Sequence, residues 1–183
     1  MSENSFAASP GQTIGPFFHY ALPYEGGGQL VPPAAPGSVF LHGTVFDGAG
    51  EPVPDALVEI RQADPHGHVP RREGSLHRDG HFTGWGRAAT NASGRYLFTT
   101  LTPGPVHGGA AFFGITLFAR GLLDRLFTRA YLPGESDAFT RSLTDAERST
   151  LQIEADAEGG LRFDIHLQGP GETVFLTFPR HAA

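Results

Sequence analysis

Imidazole groups are the first candidates for chemistry in this sequence, because four of them fall within one short segment, at His66, His68, His77 and His81. Two histidines at positions i and i+2 share one face of a β-strand, so His66 and His68 could bind one metal ion there. The acidic residues of the same segment lie at no recognised ligand spacing. The sequence therefore favours exposed loop histidines, and an independent metalloenzyme stays as an alternative.

Arg120 is a second candidate, in the segment FARG directly after the apolar run AFFGITLFA at 111–119. Ligands are often bound at strand ends, and a guanidinium can hold a carboxylate through two hydrogen bonds. It also keeps its charge in a partly buried site. The simpler interpretation is a surface arginine paired with Asp124, and the residues alone favour that ion pair.

The segment QTIGPFF near the N-terminus is the third candidate. Gly15 and Pro16 fix the course of the chain and allow its backbone to approach another surface closely. Phe17 and Phe18 could then anchor the segment on apolar side chains. We therefore predict an arm that docks, in preference to a disordered tail.

Other chemistries find little support in the residues. No serine lies in a GxSxG motif, and the glycine clusters lack the strand-to-helix setting of a phosphate site. The formal charge of −6 and a pI near 5.8 disfavour nucleic acid and anionic membranes as partners. The sequence contains no cysteine, which excludes disulfides and thiolate metal sites. No apolar run approaches the roughly 18 residues of a membrane span, so a cytoplasmic protein is expected.

The periodicity predicts an all-β fold. Short alternating or apolar runs separated by Gly, Pro, Asn and Asp indicate about seven strands. The clearest alternation is LRFDIHLQG, with Leu161, Phe163, Ile165 and Leu167 on one face, and ETVFLTF is predicted as a final strand. One helix is expected after Thr144, where Thr144 and Glu147 form a capping box and DAERSTLQI continues it.

These elements predict an antiparallel β-sandwich over residues 38–183, preceded by an extended arm at residues 1–37. The arm is rich in Gly, Pro and Ala and shows no period. A long loop at residues 64–88 interrupts the sandwich, and loops of that length inside a compact domain are usually functional. The loop contains the four histidines.

The order of several motifs resembles the intradiol ring-cleavage dioxygenases, and in particular the non-iron subunit of their heteromeric members. The motifs are QTIGPFF, HGTVFDGAGEPVPDALVEIRQAD, GWGRAATNASGRYLFTTLTPG, ITLFARGLLDRLFTRAYLPGE and RFDIHLQGPGETVFLTF. Single strand-turn-strand motifs are common among sandwiches. Their order and the last two blocks make the resemblance specific.

In catalytic members of that family, two tyrosinates and two histidines hold iron(III), because hard phenolate oxygens stabilise the ferric state. By alignment, the tyrosines fall at Val69 and Val106, and the H-x-H pair falls at Phe112 and Gly114. None of these side chains can ligate a metal. His68 and His107 lie one residue away from the tyrosine positions, but a one-residue shift in a strand turns a side chain to the opposite face.

The resemblance therefore implies no catalytic or metal-binding residue on this chain. It implies a homologous iron-bearing β subunit as partner, in a larger α/β oligomer that uses O2 to convert protocatechuate (3,4-dihydroxybenzoate) to 3-carboxy-cis,cis-muconate. The substrate site would lie at the subunit interface. Residues of this chain that match the family's pocket wall are Thr13, Gly15, Pro16 and Arg120. A non-enzymatic transthyretin-like binding module is the alternative that the strand motifs alone would allow.

Overall fold

The computed structural model describes residues 13–15, 17–71, 80–157 and 159–178. Its helices are α1 (Phe18–Ala21), α2 (Ala138–Ser142) and α3 (Asp145–Ser149). A 3-10 turn spans Val106–Gly108. The strands are β1 (Ser38–Phe46), β2 (Leu57–Arg61), β3 (Trp85–Ala89), β4 (Arg95–Leu101), β5 (Phe112–Phe118), β6 (Leu126–Tyr131), β7 (Glu154–Ala155), β8 (Leu161–Arg162) and β9 (Ile165–His166).

The strands form two sheets with the apolar core between them, which confirms the predicted all-β sandwich. The first sheet has the order β4-β1-β8-β7, with β9 also paired to β1. The second has the order β3-β2-β5-β6 and is antiparallel throughout. Fully buried side chains from both sheets fill the core, among them Leu41, Phe98, Ile60, Phe113 and Leu117.

The C-terminal block packs as its alternation predicts, but its pairing differs. Phe163 and Ile165 are buried in the core. However, β8 and β9 both run parallel to β1, whereas the other pairings between the named strands are antiparallel. The two strands are separated at Asp164, whose carboxylate accepts a hydrogen bond from the Thr44 N–H at 2.8 Å. At Thr44, the Asp164 side chain therefore takes the place of a backbone acceptor on the neighbouring strand.

Several other elements differ from prediction. The helix after Thr144 has its predicted capping box but ends at Ser149, because Leu151 and Ile153 turn into the protein and their backbones bond to Tyr131. The segment 172–178 forms individual backbone bonds, such as Leu176 N–H to Phe127 O at 2.7 Å, without being an assigned strand. Strand β3 lies partly in the predicted long loop, and α1 and α2 are additional short helices.

The arm prediction is wrong for residues 24–31, which pack on the chain's own sandwich. Leu30 is 2% exposed and belongs to the core. Its N–H donates to Thr99 O, and Arg87 N–H donates to Gly27 O. Tyr24 also stacks on the Trp85 ring. Docking of the residues before this anchored segment on a partner stays a prediction. No helix in the described ranges is long and apolar enough to cross a membrane.

Tyr96 links β4 to the segment between β8 and β9, because its hydroxyl donates to Phe163 O at 2.5 Å inside the core. Burial, with the nearby negative charge of Asp164, raises the pKa of Tyr96 well above its ordinary value. We expect Tyr96→Phe to lower the free energy of unfolding by about 1–3 kcal/mol at pH 7, since the carbonyl loses its partner. Urea unfolding measures this.

The contribution of Tyr96 to stability should also depend on pH. A folded pKa above the unfolded value keeps this stability intact below the ordinary pKa of about 10 and removes it as pH rises through the folded pKa. The difference between wild type and Tyr96→Phe should therefore shrink only under alkaline conditions. Tyr20→Phe is the control because Tyr20 is 77% exposed, and equal effects of both substitutions would contradict the assignment.

Candidate functional site

The four positions aligned with metal ligands line one cavity. Val69, Val106, Phe112 and Gly114 share a cavity of about 220 Å³ with the end of β2. They come from three separate segments: the loop after β2, the 3-10 turn, and β5. In catalytic family members these four positions would hold one metal ion, so they must lie close together. The structure places them together on one cavity.

Tight packing of two loops brings Val69 and Val106 together. Asp64 accepts hydrogen bonds from the N–H groups of His66 and His68, each at 2.9 Å, which closes a turn. Its carbonyl accepts from Gly104 N–H at 2.8 Å. Gly67 has a φ of +82°, and a Cβ there would lie 2.2 Å from Pro105 O. Only glycine permits this approach, so the loop sequence itself builds one wall of the cavity.

The side chains at these four positions do not fit a ferric ion, because valine, phenylalanine and glycine offer no donor atom. Neither His68 nor His107 lines the cavity. Both histidines are exposed, and His107 lies in the 3-10 turn with a φ of 49°. In the described ranges, no group of three or more His, Cys, Asp or Glu side chains has a metal-binding arrangement.

The loop histidines are dispersed in the structure, as far as it describes them. The rings of His66 and His68 are 6.4 Å apart and both side chains are exposed. His68 lies 3.4 Å from a carboxylate oxygen of Asp64. His81 is also exposed, and His77 falls outside the described residues. Solvent-facing loop histidines therefore account for the three that can be placed.

Arg129 covers the ring of Phe112, one of the residues that line the cavity. Its guanidinium lies 4.5 Å from the centre of the Phe112 ring, in a cation–π arrangement. It also contacts Asp137 at 3.2 Å and donates to the Tyr131 hydroxyl at 3.1 Å. Asp137 in turn caps α2 by accepting from Thr140 N–H at 3.0 Å. Arg129 therefore links the Phe112 ring to Asp137 at the N-terminus of α2.

Asp137 should make the protein's stability depend on acidic pH. Partial burial acts to raise its pKa, but bonds from Thr140 N–H and the Tyr131 hydroxyl, with the charge of Arg129, hold the pKa below its ordinary value of 3.8. A lowered native pKa stabilises the fold above the unfolded pKa, and the effect is lost as pH falls through the native pKa. We expect Asp137→Ala to cost about 1–3 kcal/mol at pH 7.

Urea unfolding at pH 7 and near pH 3 tests this expectation. The difference between wild type and Asp137→Ala should be largest at pH 7 and smaller at the acidic pH. Asp145→Ala is the matched control, because Asp145 also begins a short helix and pairs with an arginine but has a 96% exposed side chain. A pH-independent cost for Asp137→Ala would contradict the role of the charge.

Arg120 is anchored by a residue other than the predicted one. Its Nε donates to Asp55 Oδ2 at 2.7 Å, and one terminal nitrogen contacts the same oxygen. Asp124 instead contacts its neighbour Arg125, so the predicted pairing with Arg120 is wrong. The Asp55 side chain is 10% exposed and the Arg120 side chain 60%. Asp55 therefore fixes the Nε side of the guanidinium, and the rest of the Arg120 side chain faces solvent.

The arm runs beside the turn that carries Arg120. Ile14 N–H donates to Leu122 O at 2.7 Å, and Leu122 N–H donates back to Ala119 O within the turn. Thr13 and Gly15, on either side of Ile14, are exposed, and a Cβ on Gly15 would meet open space. The structure thus brings Thr13 and Gly15 to the Arg120 turn, while Pro16 falls outside the described residues.

Two residues of this region were not identified from the sequence. The sequence gives no indication of a role for Asp55, because its partner lies 65 positions away and no local pattern indicates the pair. Nothing in the sequence indicates a role for Arg129 either. Arg129 shares one face of β6 with Phe127 and Tyr131, because residues two positions apart in a strand point the same way. That spacing places Arg129 on a face of the strand but does not predict its contact with Phe112. Both residues were missed because their contacts join segments that are separated in the sequence.

Comparison with known proteins agrees with this geometry. A family model described as a dioxygenase matches residues 32–112. The chain is 38% identical over 190 residues to the protocatechuate 3,4-dioxygenase alpha chain of Burkholderia cepacia, covering 92% of this chain and 96% of that one. It is 32% identical over 157 residues to the beta chain from the same organism, covering 74% of this chain and 66% of that one.

A solved structure supports the same relationship. The dioxygenase domain of a dioxygenase and carbohydrate-binding protein fusion from Streptomyces sp. SirexAA-E aligns with a TM-score of 0.61 and 28% identity, over 78% of this chain and 87% of that chain. The sandwich, the convergence of the four aligned positions and the near full-length match have one explanation. The chain belongs to the intradiol ring-cleavage dioxygenase family, together with the protocatechuate 3,4-dioxygenase alpha chains.

Proposed function

We propose that this chain is the non-iron alpha subunit of a protocatechuate 3,4-dioxygenase. It pairs with an iron-bearing beta subunit, and the complex inserts both atoms of O2 into 3,4-dihydroxybenzoate to give 3-carboxy-cis,cis-muconate. Non-haem Fe(III) and its chemistry belong to the beta subunit. The observation that carries the proposal is the cavity at Val69, Val106, Phe112 and Gly114, which brings the four aligned positions together without a metal-binding side chain.

This chain would contribute one side of the substrate site, and the side chain of Arg120 would supply a positive charge there. Arg120 uses Nε and one terminal nitrogen on Asp55, and no described residue contacts its remaining nitrogen, Nη1. A guanidinium fixed in this way can attract and orient the substrate carboxylate. Thr13, Gly15 and Pro16 would close the pocket beside it, and the bond from Ile14 to Leu122 supports the placement of Thr13 and Gly15.

Exposed apolar side chains around this wall support an interface there. Phe17 and Tyr20 lie in the arm just after Gly15 and are 74% and 77% exposed, and Leu123 in the Arg120 turn is 73% exposed. Side chains of this size are usually covered by a partner when they cluster. A beta subunit seated here would bury them and place its iron opposite Arg120. A larger α/β oligomer and a cytoplasmic location complete the proposal, since a chain without cysteine needs no oxidising compartment.

Coexpression with a homologous beta chain tests the proposal. We expect oxygen uptake and formation of 3-carboxy-cis,cis-muconate only when both chains are present, together with co-purification of the two chains. The chain alone should contain no stoichiometric iron and should self-associate through the exposed apolar surface. Turnover by this chain alone, or failure of the two chains to associate, would contradict the proposal. The matches to dioxygenase chains do not favour a transthyretin-like binding module.

A further inference from the structure

The outer face of the first sheet carries large apolar side chains where polar ones are expected. Alternate residues of β1 and β4 are buried in the core, and the residues between them face outward. Phe40 and Leu97 are two of these outward residues, and they are 46% and 53% exposed. They are diagonal neighbours, because Phe40 pairs with Thr99 and Leu97 pairs with His42. Apolar side chains that cluster on the solvent face of a sheet indicate a surface covered by a partner.

These side chains form the floor of a groove that has one raised wall. Phe40, His42 and Leu97 line a cavity of about 590 Å³ together with Asp156 and Gly160. The last two belong to the turn between β7 and β8, which therefore stands above the face. We call residues 154–157 and 159–160 the ridge. Its turn is fixed by the Asp156 carboxylate, which contacts His42 Nε2 at 2.7 Å and accepts from Gly160 N–H at 2.6 Å.

The two sides of this face carry opposite charges. On β4, Arg95 also lines the groove, and its guanidinium forms no ion pair with a described residue. On β7, Glu154 in the ridge is 75% exposed, and its described ion pair is a contact of 3.8 Å with Arg162. Arg162 itself bonds Asp164, so the charge of Glu154 is weakly compensated. The sheet order β4-β1-β8-β7 puts Arg95 and Glu154 on opposite edges, so the groove edge is positive and the ridge edge is negative.

A second copy of the chain is complementary to this face. A half-turn about an axis that lies in the interface and runs along β1 exchanges the two edges and keeps the strands aligned. Each ridge then lies over the partner's groove, and Arg95 of each copy faces the partner's Glu154. An axis across the strands would instead bring Arg95 over Arg95, which like-charge repulsion disfavours. We infer that two copies of this chain associate through the outer face of the first sheet, about the axis along β1.

The contact needs only this chain, whereas its role in joining α/β pairs into a larger oligomer rests on the proposed function. The beta subunit proposed beside Arg120 does not account for this face, because Arg120 follows β5 of the second sheet. Variants of the contact should therefore keep the oxygen uptake of each α/β pair.

Charge reversal in the coexpressed complex tests the contact by light scattering after size exclusion. Arg95→Glu and Glu154→Arg each place like charges together twice, so we expect association of α/β pairs to weaken about tenfold or more and the mass to fall. The double variant, Arg95→Glu with Glu154→Arg, restores opposite charges in both pairs and should regain the wild-type mass. Leu97→Asp should also separate the pairs, because it places a charge in the apolar groove.

Arg141→Glu is the matched control, because Arg141 is an exposed arginine without a described ion pair on α2, outside this face. Its mass should equal the wild-type mass. A wild-type complex with a single alpha chain, or an unchanged mass in any of the three disrupting variants, would overturn the contact. A double variant as dissociated as the single variants would overturn the two-fold arrangement. If the beta chain fails to co-purify, the proposed function is wrong, and the same variants of the chain alone then measure the contact independently.

Discussion

Replacing Arg120 by alanine in the coexpressed complex should raise the KM for protocatechuate about 10- to 100-fold and leave the KM for catechol nearly unchanged. The reason is that catechol lacks the carboxylate that Arg120 is proposed to hold. A hydrogen bond to a charged group contributes about 1.5–3 kcal/mol, which corresponds to this range of affinity. Steady-state oxygen uptake with both substrates measures the difference, and kcat should change less than KM.

Two further variants separate a specific contact from a general effect of charge. Arg125→Ala removes an exposed positive charge from the same turn, and we expect less than a twofold change for either substrate. Asp55→Asn keeps the size of the side chain but loses the charge that holds Nε of Arg120, so an intermediate, several-fold rise in KM for protocatechuate is expected. Equal losses for protocatechuate and catechol in Arg120→Ala would contradict carboxylate recognition.

The Arg120 pair also shows why the site could be predicted only in part. The sequence placed Arg120 correctly at the end of a strand, because an apolar run followed by a turn is a local pattern. It then paired the guanidinium with the nearest acid, Asp124, although the structure joins it to Asp55. Proximity along the chain carries no information about which residues meet across a sandwich. The resemblance to a family suggested the proposed role of Arg120, which the residues alone did not indicate.

The fold shows the same division between local and long-range information. Alternation over 161–167 identified the core residues Phe163 and Ile165, because the side-chain period of a strand is two. The parallel pairing with β1 is set by partners more than a hundred residues away and leaves no local pattern. Strand β3 was missed because WGRAA contains few β-branched residues, yet it pairs with β2 along its full length.

Gly43→Ala should be among the most destabilising single substitutions in the sandwich, lowering the free energy of unfolding by about 3 kcal/mol or more. Gly43 lies in the middle of β1, where Phe163 N–H donates to His42 O at 2.8 Å and brings the C-terminal block against the strand. A Cβ on Gly43 would lie 1.8 Å from Phe163 O and 2.6 Å from Phe163 C. Both are backbone atoms, so no side-chain rotation can relieve the overlap.

The clash also involves the Tyr96 hydroxyl, which donates to the same Phe163 carbonyl and would lie 3.0 Å from the new Cβ. Moving the C-terminal block away would break this bond and the pairing of β8 with β1 together. Gly114→Ala is the matched control, since it is also a strand glycine but its Cβ would meet only Arg61 O at 3.3 Å. We expect a cost below about 1 kcal/mol for the control in urea unfolding. Similar costs for the two substitutions would show that glycine at 43 is not required by the approach of Phe163, and the parallel pairing of the C-terminal block with β1 would then need another explanation.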